Sequence, residues 1–325
     1  MSFYKNKNVL VTGGAGFVGS HVVDELIKLD ANTAITVRDS KSKKIKQNIE
    51  NPEKIKIINA DLSNEKDCKK AVKNMDIVLN LASNVAGIEY NIKHPGSILT
   101  ENIIMNTNIL EASRIEGIER FLVVSSACVY PRKVTIPTPE SEGFKDSPEP
   151  TNYGYGWAKR LGEIQAKAYY EEFGMKIAIA RPYNAYGPRD KYDDNTSHVI
   201  AALIKKAFAK GDEMVVWGSG KQTRSFIYVK DLAKGLLEVC EKYPVADPLN
   251  LGSNQEISIK ELAEMILKIS GSKKKLVLDS SYPDGQPRRA SDNSKAKKII
   301  GFEAKEPFES GLKHAIDWYK KKLII

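Results

Sequence analysis

A tyrosine and a lysine four residues apart, in Tyr155-Gly156-Trp157-Ala158-Lys159, are the best-spaced pair in this chain for chemistry. On a helix they share one face, one turn above the other. A free phenol titrates near ~10 and is a poor acid–base catalyst at neutral pH. A neighbouring ammonium favours the phenolate, and bringing a tyrosine down to ~7 takes roughly 4 kcal/mol. The lysine and a bound nicotinamide cation together carry charge of the right sign for that. Alone, Tyr-x-x-x-Lys is mostly surface decoration. Its weight here comes from a glycine-rich turn that begins at Gly13.

That turn reads Val9-Leu10-Val11-Thr12-Gly13-Gly14-Ala15-Gly16-Phe17-Val18-Gly19, a strand, glycines three apart, then a helix. Gly13 permits the tight turn, Gly16 lets backbone approach a pyrophosphate, and Gly19 allows close helix–strand packing. Phe17 and Val18 open a helix whose free N–H groups and positive dipole end face phosphate. Together with Tyr155 and Lys159, this points to a dinucleotide and to hydride transfer at a sugar or alcohol carbon. The second strand ends in Arg38-Asp39, followed by Lys43 and Lys44. An acid there binds the ribose of NAD, whereas Arg38 with Lys43 suits the 2′-phosphate of NADP. The extra lysines favour NADP(H); NAD stays open through Asp39. Asp61-Leu62 after the third strand and Leu81-Ala82 after the fourth lie at strand carboxyl ends, where the cofactor crevice forms.

Elements that hold these residues are legible in the apolar pattern. Strands are expected at Asn8–Thr12, Ala34–Val37, Ile55–Asn59, Ile77–Leu81, Phe121–Ser125 and Ile177–Ala180. Helices separate them at Phe17–Leu29, Glu65–Val72 and Ile98–Ile115. Near-continuous apolar strands alternating with helices predict an α/β fold with a doubly wound parallel Rossmann sheet. A smaller C-terminal α/β lobe follows, with helices at His198–Lys210, Val229–Cys240, Ser258–Ile269 and Phe308–Lys321 and strands at Met214–Trp217 and Ser225–Tyr228. The expected division gives residues 1–181 to the dinucleotide domain, with 218–252 returning to it. Residues 182–217 and 253–325 form the substrate lobe. Pro131–Pro150 is a long Pro-, Glu- and Ser-rich loop, a length that marks lids and binding segments.

Val123-Val124-Ser125-Ser126-Ala127-Cys128-Val129-Tyr130-Pro131 ends the fifth strand. With the glycine triplet and Tyr155/Lys159, the chain resembles the extended short-chain dehydrogenases/reductases that act on nucleotide sugars. That resemblance implies that Ser126 hydrogen-bonds the reacting sugar oxygen. It gives Tyr155 the exchange of a proton with that oxygen, and Lys159 the nicotinamide ribose and a lowered tyrosine pKa. Cys128, the Asn195-Thr196-Ser197-His198 helix start with Lys206 beyond it, and Trp217-Gly218-Ser219-Gly220-Lys221-Gln222-Thr223-Arg224 are similar to the GDP-L-fucose synthase and GDP-mannose 3,5-epimerase branches. There Cys128 would take a ring proton and His198 would deliver one to the opposite face. The carbonyl at C4 acidifies the C3 and C5 hydrogens, and thiol and imidazole titrate near neutrality. The resemblance also makes Asn184, His198, Lys206, Trp217, Arg224 and Arg289 substrate-binding residues, with Arg288 an alternative to Arg289 in the loop Pro283-Asp284-Gly285-Gln286-Pro287-Arg288-Arg289. The fingerprint Gly-Gly-Ala-Gly-Phe-Val-Gly is commoner among sugar epimerases and dehydratases than among fucose synthases. The implied reaction is therefore epimerisation at C3 and C5 with reduction at C4 of a GDP-4-keto-6-deoxy sugar. The alternatives are a GDP-mannose 3,5-epimerase or an NDP-sugar 4-epimerase holding NAD tightly.

Bulk properties narrow the class. Of the 325 residues, 42% are hydrophobic and 28% charged, ordinary for a globular protein. The net charge of +9 comes from dispersed lysine runs without interleaved aromatics, which reads as a solvated surface and not as a nucleic-acid footprint. No apolar run suits a membrane span, and the N-terminus lacks a signal-peptide pattern. Cys68, Cys128 and Cys240 form no framework, and the four histidines have no metal-ligand spacing, so no metal and a reducing cytoplasm are expected. A homodimer through the helices Ile98–Ile115 and Trp157–Tyr170 follows from the resemblance. A non-catalytic dinucleotide sensor has no need of Ser126, Tyr155 and Lys159.

Overall fold

Short β-branched runs buried on both faces supply the frame. The computed structural model describes residues 2–85, 88–193, 197–281 and 286–324. Asn195 and Thr196 before the His198 helix, and Pro283, Asp284 and Gly285 of the late loop, lie outside the described residues. The strands β1 (Asn8–Thr12), β2 (Asn32–Val37), β3 (Lys56–Asn59), β4 (Ile77–Asn80), β5 (Arg120–Val124) and β6 (Ile177–Pro182) join Val245–Leu251 in one seven-stranded sheet. Every pairing in it is parallel. Its order, Val245–Leu251, β6, β5, β4, β1, β2, β3, reverses direction between β4 and β1. That switch point opens a crevice beyond the strand carboxyl ends, and Thr12 and Asn80 stand side by side there.

Helices cover both faces. The first half supplies α1 (Phe17–Lys28), α2 (Lys43–Asn48), α3 (Glu65–Val72), α4 (Ile88–Lys93), α5 (Pro95–Glu116) and α6 (Tyr153–Phe173). Val22, Val23 and Leu26 of α1 pack one face together with Leu232, Leu236 and Val239. Ile109 and Leu110 of α5, with Cys68 and Ala71 of α3, pack the other. Both α5 and α6 end at a left-handed glycine, Gly117 (φ +76) and Gly174 (φ +65), which stops each helix before its next strand.

The smaller lobe has its own core, in which Ile200, Leu203 and Ile204 of α7 (Val199–Phe208) meet Met214, Leu262, Ile266, Leu312 and Ile316. The stretch expected to return to the sheet, 218–252, divides. Thr223–Ser225 pairs with Glu256–Ser258 and Arg288–Arg289 in a separate small sheet, whereas α8 (Val229–Lys242) and Val245–Leu251 join the large one. The long loop is strapped down: Thr138 N donates to Ala290 O (2.9 Å), Asp292 N to Thr138 O (3.1 Å), and Arg132 pairs with Glu149. No helix among the described residues is long and apolar enough to cross a membrane.

Candidate active site

The glycine turn is dense where the fingerprint requires it. Gly13 takes φ +66, and a Cβ there would stand 3.0 Å from Ala82 Cα. A Cβ at Gly19 would fall 2.3 Å from Gly13 O, so α1 sits directly against the turn. Gly14 is equally constrained, 2.4 Å from Ile35 Cγ2, a requirement the fingerprint spacing did not reveal. At Gly16 only Gly13 O lies near, leaving its outer side open to a ligand. Helix α1 has neither a side-chain cap nor an acid in its first turn. Its first N–H groups therefore point outward without side-chain partners, which suits a pyrophosphate. The Phe17 ring packs toward the smaller lobe, and Val18, Leu62 and Leu81 put their side chains into the cores, leaving them backbone contacts with a cofactor. Thr12 Oγ1 accepts from Ala82 N (3.0 Å) and donates to Asn80 Oδ1 (2.7 Å), fixing the β4 end of the crevice.

Beyond β2, Arg38 is exposed and enters no ion pair among the described residues. Asp39 is drawn into its own turn, where Oδ1 accepts from Lys41 N (2.9 Å). Lys43 begins α2 and is exposed. The Asp61 carboxylate accepts from Ser63 N and Oγ, both at 2.9 Å; these bonds, and to a lesser degree the Arg38 charge, hold it below the usual carboxylate range.

Tyr155 and Lys159 occupy the first turns of α6, and Gly156 lets that helix press on the loop after β5. Burial pushes the Tyr155 phenol well up, a charged Cys128 would add to this, and hydrogen bonding with Ser83 and Ser126 counteracts it. Burial also draws the Lys159 ammonium down to about 8, against the charges of Cys128 and Glu163. Its Nζ donates to Val124 O (2.8 Å) and stands 5.4 Å from the Tyr155 ring centroid. The charge expected from the lysine and a nicotinamide cation together therefore has burial to overcome, since within the protein itself the phenol stands above its ordinary value. A positively charged nicotinamide fits as the missing partner.

Ser126 Oγ accepts from Cys128 N (3.1 Å), and Cys128 Sγ lies 3.8 Å from Arg289 Nη2. Cys68 and Cys240 are fully buried, with thiols pushed up to about 12 chiefly by burial. His198 precedes α7. Its Nδ1 meets Asp190 Oδ1 at 3.0 Å, with the imidazole 46% exposed and the carboxylate buried. Desolvation opposes its charge, but the hydrogen bond and charge of Asp190 prevail and raise its pKa. Next to Asp190, Lys191 Nζ donates to Val85 O (3.1 Å), two residues after the Ser83 that meets Tyr155. The same segment is riveted to α1. His21 Nε2 meets Pro188 O at 3.1 Å, and Arg189 Nη1 donates to Asp24 Oδ2 at 2.6 Å. Burial first, and then the Arg189 charge, lowers His21 to about 3, so it stays neutral.

Arg224 and Arg289 are register partners on paired strands. Burial, and next the Arg289 charge, depress Arg224 to about 10, with Glu149 opposing. Arg224 Nη1 donates to Thr223 O and Gln286 O, both at 2.7 Å, and two neighbouring guanidiniums are chemistry suited to an anion. Arg288 is held by Glu256 (2.9 and 2.5 Å), whereas Arg289 approaches Cys128. Asn184 Nδ2 donates to Ser225 O (2.8 Å), bracing the strand that carries Arg224. Lys206 Nζ donates to Val215 O (2.8 Å), 5.5 Å from the Trp217 ring, which is 57% exposed. Those two residues pair on the smaller lobe. Sequence reasoning missed Ser83, Asp190 and Glu163. Only Glu163, one helical turn beyond Lys159, carried a signal in its spacing.

Comparison with known proteins agrees with this arrangement. Residues 9–252 match the NAD dependent epimerase/dehydratase family. A Streptomyces sp. dTDP-4-dehydro-6-deoxy-D-allose reductase is 32% identical over 98% of this chain and 97% of its own length. A Sinorhizobium fredii GDP-L-fucose synthase is 33% identical over 96% of this chain and 95% of its own. The solved structure of a GDP-L-fucose synthetase from Naegleria fowleri bound to NADP superposes with a TM-score of 0.86 at 27% identity, covering all of this chain and 96% of that one. With a glycine cradle at the sheet's switch point and a Ser–Tyr–Lys set beside it, the chain belongs to the NAD(P)-binding epimerase/dehydratase family, the extended short-chain dehydrogenase/reductase type of nucleotide-sugar epimerase and oxidoreductase.

Proposed function

We propose that the protein epimerises a GDP-4-keto-6-deoxy-hexose at C3 and C5 and reduces it at C4, in the manner of a GDP-L-fucose synthase, with NADP(H). The observation that carries this reading is the position of Cys128, whose backbone packs against Gly156 of the Tyr155/Lys159 helix and whose sulfur lies 3.8 Å from Arg289 Nη2. A plain 4-epimerase has no use for a thiol there. Cys128 removes the ring proton acidified by the C4 carbonyl, and Ser126 and Tyr155 donate to the enolate oxygen. His198, whose charged form Asp190 favours, returns a proton to the opposite face. Arg224 and Arg289 hold the diphosphate. The glycine turn, the α1 N-terminus, Arg38, Lys43 and Lys159 would hold the dinucleotide, which supplies the hydride for C4. NADP(H) is favoured because Arg38 stands exposed, with no ion pair among the described residues, while Asp39 is engaged in its own turn. A homodimer through α5 and α6 accords with the exposed Ile104, Ile164, Tyr170 and Phe173 on those helices.

The rival reading keeps NAD bound and returns the hydride, giving net epimerisation. A third, reduction without epimerisation, is favoured by the similarity to a dTDP-4-dehydro-sugar reductase. One experiment separates them: purified protein, NADPH and GDP-4-keto-6-deoxymannose in deuterated water. We expect loss of the reduced-nicotinamide absorbance together with deuterium at C3 and C5. Cys128→Ser should abolish deuterium entry and spare hydride transfer. Hydride transfer without deuterium in the wild type would leave only a reductase.

A further inference from the structure

Arg181 opens the Arg181-Pro182-Tyr183-Asn184 turn, yet it points away from the ligand crevice. It is 1% exposed and donates through Nε and Nη2 to the two Glu163 oxygens at 2.8 and 2.7 Å. The remaining nitrogen, Nη1, donates to Tyr130 Oη (3.1 Å) and Glu140 O (2.8 Å). Glu163 is 4% exposed, sits one turn after Lys159 on α6, and also accepts from Ser125 Oγ. Ser125 follows Val124, whose carbonyl takes the Lys159 ammonium. One buried ion pair therefore touches β6, α6 and the end of β5 immediately behind the catalytic residues.

We propose that Glu163, held by Arg181, is a positioning residue that sets the charge of Lys159 and so fixes the pH range over which the site binds its dinucleotide. The inference rests on the assignment of Lys159 to cofactor binding, not on the identity of the sugar. The groups facing Lys159 are few. Tyr155 and Glu163 come from α6 itself, Cys128 from the turn after β5, and Val124 O from β5. A small enclosed polar cavity, lined by Asn80, Asn102 and Asn106 of β4 and α5, adjoins it. A charged Cys128, and after it Glu163, oppose the desolvation that drives Lys159 toward neutrality, and Glu163, one turn along the same helix and buried, is the one fixed in place by an ion pair. Arg181 has a second function: a buried carboxylate stripped of its partner is strongly destabilising.

The test is the pH dependence of NADPH affinity, read by nucleotide fluorescence without any sugar, with NADH in parallel. Lys159→Gln should remove the alkaline fall in affinity. Glu163→Gln, which keeps the shape and the Ser125 contact, should move that fall about one pH unit lower, a roughly tenfold loss of affinity on its alkaline side. Arg181→Lys keeps the charge but not the two-pronged contact, so it should lower the melting temperature and leave the pH midpoint in place. If both variants shift the midpoint alike, or neither does, or Lys159→Gln retains it, the pair is scaffolding only. Wild-type failure to turn over a GDP-sugar would refute the substrate assignment and leave this result standing.

Discussion

Two glycines on α6 should respond oppositely to the same substitution. A Cβ on Gly156 would lie 2.6 Å from both Cys128 O and Pro148 Cβ, contacts that a real methyl group does not make. Restoring ordinary separation takes a shift of roughly 0.6 Å between α6 and the turn carrying Ser126 and Cys128. Overpacking of that kind costs about 1–3 kcal/mol, against a gain of about 1 kcal/mol for alanine over glycine inside a helix. Gly156→Ala should thus lose up to about 2 kcal/mol. On Gly162, two turns along, a Cβ meets only Asn106 Nδ2 at 3.4 Å, an ordinary contact. Gly162→Ala should therefore gain up to about 1 kcal/mol. The functional difference should be larger, because Tyr155 adjoins Gly156 and misplacement approaching 1 Å costs about 10- to 100-fold in turnover. Differential scanning calorimetry and the NADPH-coupled assay measure both quantities. If Gly156→Ala is as stable and active as Gly162→Ala, the close approach of α6 to Cys128 is not what positions the phenol.

Arg38→Ser should raise the KM for NADPH about tenfold or more and leave that for NADH nearly unchanged, since only a 2′-phosphate needs the guanidinium. Arg289→Gln should weaken GDP binding, measured by calorimetric titration, about 10- to 100-fold, whereas Arg288→Gln, whose parent is spent on Glu256, should change it by less than about threefold. For His198 the folded pKa is raised above its ordinary ~6.5. The stability drawn from the charged pair is therefore complete below ~6.5 and is lost as pH rises through the folded value. Denaturant unfolding across pH should show the gap between wild type and Asp190→Asn narrowing above that point; a gap that widens contradicts the assigned charge.

Much of this architecture was visible in residue order. The glycine spacing, the apolar strands and Tyr155/Lys159 are local patterns, and local patterns survive being read one window at a time. Contacts made across the sheet did not appear there. Asp190 is one acid among many until the chain folds it under His198, and Ser83 looks like any loop serine until α6 brings Tyr155 to it. Arg181 was legible only as part of a ligand turn, because its Glu163 partner lies on another element. The separate partners of Arg288 and Arg289 needed strand register, since neighbours on a strand face opposite sides. Electrostatics was hardest to foresee. The sign of a lysine's influence on a tyrosine follows from spacing, but burial, which here outweighs it, follows from the whole fold.

The rivets His21–Pro188 and Arg189–Asp24 join α1 to the Pro188–Asp190 turn, whose carboxylate meets the His198 ring. The turn that holds the imidazole through Asp190 is thus fastened to α1 through its two preceding residues. The start of α1 and the His198 ring are therefore linked by a short chain of contacts, although some 180 residues separate them in sequence. His21 remains uncharged down to about pH 3, so mild acidification leaves its contact with Pro188 alone, whereas burial raises the Asp24 carboxyl and makes Arg189–Asp24 the acid-sensitive joint. The joint between α1 and the Pro188–Asp190 turn therefore meets acid through that carboxylate before it meets it through the His21 ring.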